Sequence, residues 1–181
     1  SNPVIRFNNA AHTYDQAGEL QRYVAARLSE SIELPRRPEH STVLEIGCGT
    51  GLLTRHLPRI FGNAATFIIT DAAPDMVRNC RTAFSRTVLD FRFDTMDGQN
   101  VCLPRQSVDH IVTSMTAQWF DDPVASLSKL QPLLKENGTL TYATIGADNF
   151  TEWREHLEHL GLDFGMRPQP ENFPGCFREE L

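Results

Sequence analysis

The residues of this chain that could do chemistry are three acids and a cluster of glycines. Glu45-Ile46-Gly47-Cys48-Gly49-Thr50-Gly51 sets a carboxylate two residues ahead of three glycines spaced two apart. Glycine accepts positive φ and lets a ligand approach the backbone closely, so Gly47, Cys48, Gly49 and Gly51 form a candidate binding turn. The dinucleotide fingerprint would need Gly or Ala at position 52, and this chain has Leu52. Glu45 would repel a pyrophosphate and hold an ammonium group. Asp71 follows Gly51 by 20 positions, the offset of an acid that accepts hydrogen bonds from ribose hydroxyls. Ala72 and Ala73 keep the turn beside it small, and Met76 opens one face of the next helix. Asp97 can accept from an adenine amine while Gly98 removes bulk beside the ring, although Asp-Gly taken alone is a turn signal. Ser114 and Met115 lie past the end of a later strand, with Trp119 just beyond.

These residues need strands that end at one edge. Thr42 to Ile46 is β-branched and aliphatic without a polar face, the pattern of a buried parallel strand. Leu52, Leu53 and Leu57 then resume at helical intervals, predicting a helix whose N-terminus faces the turn and which Pro58 should shorten or kink. Thr66–Thr70 predicts a second strand ending at Asp71, and Pro74 opens a helix with Met76, Cys80 and Phe84 on one face. Leu89, Phe91 and Phe93 alternate in a third strand, and Val108–Thr113 predicts a fourth. A helix over Pro123–Lys135 should stop at Asn137-Gly138, leaving Thr139–Ile145 as the fifth strand. Upstream, Leu20, Val24, Leu28 and Ile32 make one stripe of a docking helix, preceded by a segment free to fold over a site. Strands alternating with helices give an α/β, doubly wound, Rossmann-like sheet, mostly parallel and of five strands. The expected single domain divides into an N-terminal docking helix and lid at 1–38, a cofactor-binding core at 39–146 and the start of an acceptor-side region at 147–181.

The bulk composition narrows the partners. With 181 residues, 40% hydrophobic and 22% charged, the chain can bury a core as one ordinary domain. A net charge of -6 leaves no surplus of cations to displace counterions from a nucleic acid. No apolar run approaches the ~18 residues of a membrane span. Four cysteines, at 48, 80, 102 and 176, lack any zinc spacing and suit a reducing, cytoplasmic compartment. His156 and His159 lie three apart on a helix but flank its apolar stripe with no third ligand in register, so no metal site is expected.

The motif E-x-G-x-G-x-G resembles the first motif of class I S-adenosylmethionine-dependent methyltransferases. With the leader Ala10-Ala11-x-Thr13-Tyr14-Asp15, Asp71, Asp97-Gly98 and Ala117-Gln118-Trp119, the chain is most similar to the malonyl-acyl-carrier-protein O-methyltransferases of biotin synthesis. That resemblance runs from about Phe7 to Trp153 and implies S-adenosyl-L-methionine as cofactor, with S-adenosylhomocysteine as product. It also implies malonyl-loaded acyl-carrier protein as partner, with the free malonyl carboxylate as methyl acceptor. The family fold closes its sheet with two further strands that the five predicted here do not include, so either a truncated chain, the favoured reading, or a partner covering the edge left by the fifth strand is expected.

A carboxylate is already a nucleophile at neutral pH. The reaction therefore asks for orientation and exclusion of water rather than a general base. Tyr14 could close over the cofactor and Trp119 could line the acceptor channel, while Arg154, Arg167 and Arg178 are candidates to grip the carboxylate. A basic patch near the acceptor mouth is expected for an acidic carrier. The alternatives are a methyltransferase for another small acid or hydroxyl, and a cofactor-binding subunit without activity. A nicotinamide oxidoreductase is disfavoured by Leu52 and Glu45.

Overall fold

A computed structural model of the chain describes residues 14–33 and 40–146, with side chains from residue 18 onward. Five strands form one sheet in the order β3-β2-β1-β4-β5: β1 Thr42–Ile46, β2 Thr66–Asp71, β3 Asp90–Thr95, β4 Val108–Ser114 and β5 Leu134–Ala143. All four pairings are parallel. β1 is central, and the connections leave it in opposite directions, first toward β2 and β3 and then across to β4. Such a reversal opens a crevice at the carboxyl ends of the strands, where doubly wound sheets bind ligands.

The three inner strands β2, β1 and β4 form because their side chains are buried on both faces. Val43, Phe67, Ile69 and Val112 face one core, shared with Ala25, Leu28 and Ile32 of helix α1 (Tyr14–Ser31) and with Leu57, Ile60 and Phe61 of α2 (Leu57–Phe61). Leu44, Ile46, Ile111 and Val108 face the other core, against Ala117, Phe120 and Leu127. Each fully buried side chain of this size contributes roughly 2 kcal/mol. The predicted stripe on α1 holds for Val24, Leu28 and Ile32, but Leu20 is 50% exposed.

Two elements differ from their expected form. No continuous helix follows the glycine turn. Thr54–His56 winds as a 3-10 turn, and α2 starts only at Leu57 with Pro58 in its first turn. An α-helix through this stretch would need an N–H at position 58, which proline lacks, so the α-helix N-terminus expected at the turn stands at Leu57 instead. The predicted helix over Pro123–Lys135 also divides, into α4 (Pro123–Ser128) and a 3-10 turn at Gln131–Leu133 that contains Pro132. β5 consequently begins at Leu134, and Asn137-Gly138 lies within it instead of ending a helix. Pairing jumps from Val108↔Leu134 to His110↔Thr139, and Asn137 takes φ 62 in the resulting bulge.

α3 (Pro74–Ala83) matches its prediction, with Met76, Val77 and Cys80 buried. Among the described residues no helix is long and apolar enough to cross a membrane. The amphipathic stretch 150–160, the histidine pair, the three candidate arginines and the leader ahead of Tyr14 lie outside the described residues.

Candidate active site

β1 delivers the glycine turn to the crevice. Gly47, Gly49 and Gly51 have φ of 73, 51 and 85. At Gly47 the positive φ coincides with a close approach, since a Cβ there would stand 2.1 Å from the Thr116 Oγ1. At Gly49 a Cβ would meet nothing within 4 Å, and its backbone faces open cavity. Gly51 does not line the cavity. A Cβ on it would lie 2.8 Å from the Phe84 ring and 3.1 Å from Cys80 Sγ, so this glycine allows α3 to pack beneath the turn.

Asp71, at the tip of β2, fastens this turn to its own. Its Oδ2 accepts from the Gly49 N–H at 2.9 Å and its Oδ1 from the Ala73 N–H at 2.9 Å. The Cys48 N–H donates to the Thr70 carbonyl at 2.9 Å, and the Met96 N–H donates to the Asp71 carbonyl at 3.0 Å. The ends of β1, β2 and β3 are thereby joined through main-chain groups and one carboxylate. Burial raises the Asp71 pKa against the lowering effect of those two N–H bonds.

Glu45 is 1% exposed. Its Oε2 accepts from the Thr54 hydroxyl at 2.7 Å, and its backbone carbonyl accepts from the Thr70 hydroxyl at 2.7 Å. Burial pushes its pKa up to about 8. The sequence reading set a charged carboxylate beside the turn, whereas the structure holds a buried acid that is mostly neutral at pH 7 in the absence of a cation. A positive ligand in the cavity would draw that proton off. Beside it, contact with the Cys80 thiol and burial hold Cys48 in its thiol form, and Thr54 Oγ1 lies 3.6 Å from Cys80 Sγ.

The crevice is a cavity of about 330 Å³. Its walls include Glu45, Gly47, Cys48, Gly49, Asp71, Ala72, Met76, Asp97, Gly98, Ser114, Met115 and Trp119, which brings together every described site residue expected from the sequence except Gly51. Tyr14 is the first residue of α1, and its side chain lies outside the described residues. Asp97 is exposed at the rim, where its Oδ1 accepts from the Gln99 N–H at 2.9 Å and its Oδ2 from Asn100 Nδ2 at 3.2 Å. Its turn role is therefore real, and each oxygen keeps a further lone pair. Gly98 is buried, and a Cβ there would sit 2.5 Å from Ile46 and 2.9 Å from Phe120. Packing against the second core demands a glycine at this position, whatever binds nearby.

At the end of β4, Met115 has φ 53, a left-handed conformation that costs a non-glycine residue roughly 1–2 kcal/mol. Its N–H donates to the Ala143 carbonyl at 2.8 Å, and its carbonyl accepts from Gln118 Nε2 at 2.8 Å. Thr116 Oγ1 donates to the Ser114 carbonyl at 3.1 Å and abuts Gly47. Gln21 and Ala25 of α1 also line the cavity, with Thr116, Gln99 and Phe120. Of these, sequence reasoning missed Gln21, Ala25 and Gln99. The one available signal was Ala25, a small residue on the buried face of α1.

The charge of the walls limits what can bind. Three carboxyl groups, Glu45, Asp71 and Asp97, line the cavity, and none of the described lining residues is Lys or Arg. A pyrophosphate has no counter-charge here, and a ligand carrying a cation has three potential partners. The basic patch expected at the acceptor mouth has no member among these residues.

Comparison with known proteins agrees with this architecture. Residues 43–138 match the family model described as a methyltransferase domain. The chain is 38% identical over 161 residues to a malonyl-(acyl-carrier protein) O-methyltransferase of Magnetococcus marinus, covering 89% of this chain and 59% of that protein. It is 39% identical over 157 residues to the biotin biosynthesis bifunctional protein BioCD of Bordetella avium, covering 87% of this chain and 33% of that protein. The chain thus spans about three-fifths of the first relative's length, and less of the second. Among solved structures, a SAM-dependent methyltransferase from Aquifex aeolicus superposes with a TM-score of 0.63 at 17% identity, covering 89% of each chain. At that identity the likeness speaks to the fold.

Proposed function

The chain belongs to the methyltransferase-domain family, and from that premise we propose that it transfers a methyl group from S-adenosyl-L-methionine to the free carboxylate of malonyl held on acyl-carrier protein. The observation that carries the reading is a cavity lined by three carboxyl groups and, among its described residues, by no cationic side chain. The similarity to malonyl-(acyl-carrier protein) O-methyltransferases adds the acceptor and the carrier.

The strand order supports an orientation for the ligand. Asp97 at β3 suits the adenine amine, Asp71 at β2 the ribose hydroxyls, and Glu45 with the turn at β1 the amino group. Met76 and Ala72 would bound the ring, and Gly47, Cys48 and Gly49 would offer backbone to the amino-acid portion. The remaining end of the ligand then faces Ser114, Met115 and Trp119 after β4.

When bound, the cofactor would supply an electrophilic methyl carbon for the acceptor oxygen, with S-adenosylhomocysteine as the leaving group. The chain's own residues hold and orient. The Asp71 carboxylate keeps the two turns in register, while Trp119 and Phe120 keep water from the β4 side of the cavity. The acceptor carboxylate needs no base, so no described side chain is required to carry a proton from it. Biotin synthesis and a cytoplasmic location follow from the same reading.

Mass spectrometry of malonyl-carrier protein incubated with methyl-labelled cofactor tests it. One label per malonyl, lost on mild ester hydrolysis, is the expected result. Label on another acid or on a hydroxyl under competing conditions would replace the acceptor, and cofactor binding without any transfer would remove the enzymatic claim.

A further inference from the structure

We propose that Gln118 is a positioning residue for this reaction: its buried side-chain amide fixes Met115 in the left-handed conformation that shapes the β4 side of the cavity. The inference rests on the methyl-transfer reading above.

Gln118 is 2% exposed and lies on the 3-10 turn Ala117–Trp119. Its Nε2 donates to the Met115 carbonyl at 2.8 Å, and its Oε1 accepts from the Thr144 hydroxyl at 3.0 Å. The Met115 N–H is held by the Ala143 carbonyl at 2.8 Å. One amide therefore joins the residue after β4, the turn that carries Trp119 and the residue after β5. Its orientation is forced, because only the NH2 end can serve the Met115 carbonyl.

Met115 is the sole cavity-lining residue other than glycine with positive φ among those described. An L side chain enters that region reluctantly, and backbone in such a conformation persists where its surroundings over-determine it. Here the two polar groups of Met115 are held from two different elements. The glycine turn reaches this loop through Thr116, whose side chain fills the space a Gly47 Cβ would need. Without the Gln118 amide, the Met115 carbonyl would lose its partner and the backbone between Ser114 and Trp119 could relax. The carboxyl-carrying turns at β1 and β2 have their own bonds and would stay. The loss should then fall on alignment of the acceptor with the reactive methyl, and spare binding of the cofactor.

Two substitutions separate positioning from folding. Gln118→Leu keeps the volume and removes both polar ends. Gln118→Glu keeps the shape, and its ionisation reports on the bond. Protonated, its O–H can donate to the Met115 carbonyl, whereas the ionised form sets an anion against that oxygen. Methyl transfer to malonyl-carrier protein is followed for each variant from mildly acid to mildly alkaline pH, with hydrogen exchange read at the Met115 amide. Gln118→Leu should lose about 100-fold in kcat while KM for the cofactor moves by less than about 3-fold. Gln118→Glu should regain turnover toward acid pH, a slope absent from the parent. Exchange at Met115 should quicken in Gln118→Leu and remain unchanged at Cys48 and Gly49.

Parental kcat in Gln118→Leu, or a Gln118→Glu profile parallel to the parent, overturns the inference. If the parent binds cofactor but methylates nothing, the acceptor reading fails separately. Exchange at Met115 then decides the role of Gln118: quickening supports it, and an unchanged rate overturns it.

Discussion

The two sides of the cavity are held by different means. On the β1–β2–β3 side, backbone N–H groups of Cys48, Gly49, Ala73 and Met96 meet backbone carbonyls or the Asp71 carboxylate. On the β4–β5 side, backbone bonds such as Met115 N–H to the Ala143 carbonyl are joined by side chains, with Gln118 and Thr144 in one chain of bonds and Thr116 against the turn. A site fixed by main chain and one acid tolerates exchange of most side chains around it. A site fixed by a neutral amide is sensitive to that one residue. The first arrangement suits a ligand that does not vary, and the second a wall whose shape can be altered by few substitutions.

Gly47→Ala strikes where the sides meet and should have the largest effect. A Cβ 2.1 Å from Thr116 Oγ1 on a backbone at φ 73 cannot be accommodated without moving one loop. A destabilisation of about 3–5 kcal/mol is expected in urea unfolding, partly relieved by Thr116→Gly. Unchanged stability would mean the two loops are not in contact.

Asp71→Ala should come next, with about a 100-fold weaker cofactor affinity as two N–H groups lose a charged acceptor. Calorimetric titration reads it, and Gln118→Leu titrated alongside should stay near the parent. Equal losses in both would erase the distinction between the sides.

Glu45 gives a smaller effect with a defined sign. The unfolded chain releases this proton near 4.5 and the folded chain near 8, so the folded state holds more protons between those values. Stability therefore falls as pH rises through that window, and the contribution present at the acid end is gone above the upper value. Glu45→Gln should flatten this slope and make the unliganded protein about 2 kcal/mol more stable at alkaline pH. Thermal unfolding across the window checks it, and a parent curve without slope would contradict the burial of this acid.

The smallest effect belongs to His110, well away from either loop. It is 4% exposed, with Nδ1 2.8 Å from Thr139 Oγ1 and its ring 4.7 Å from that of Phe61. Burial lowers its pKa, so the unfolded chain takes up a proton first as pH falls below 6.5. The neutral ring's contribution is complete above that value and declines below it. His110→Gln should remove this part of the acid-side decline, and an identical decline in the variant would place its cause elsewhere.

Legibility from sequence followed the same division. The Glu45–Gly51 spacing, Asp71 and Asp97-Gly98 could be read because short motifs at strand ends carry their geometry with them. The sheet could be read because Thr42–Ile46, Thr66–Asp71 and Val108–Ser114 are apolar and β-branched. What stayed hidden depends on three-dimensional contact. The burial of Glu45 follows from Thr54 and Cys80 closing around it, and the need for Gly98 follows from Ile46 and Phe120. The bond between Gln118 and Thr144 spans 26 residues, and no local pattern announces it. The predicted helix over Pro123–Lys135 was misjudged because Pro132 breaks an α-helical ladder that hydrophobic spacing alone would continue, whereas the shortening expected at Pro58 is seen in the five-residue α2.

The proposed function depends on three carboxyl groups around a glycine turn holding a cationic sulfonium nucleoside. Calorimetric titration of the chain with S-adenosyl-L-methionine and with NAD, repeated in Asp71→Ala, tests it most directly. Saturable binding of the sulfonium, weakened by the substitution, and no measurable heat from NAD are expected. Preference for NAD, or sulfonium binding indifferent to Asp71, would contradict it.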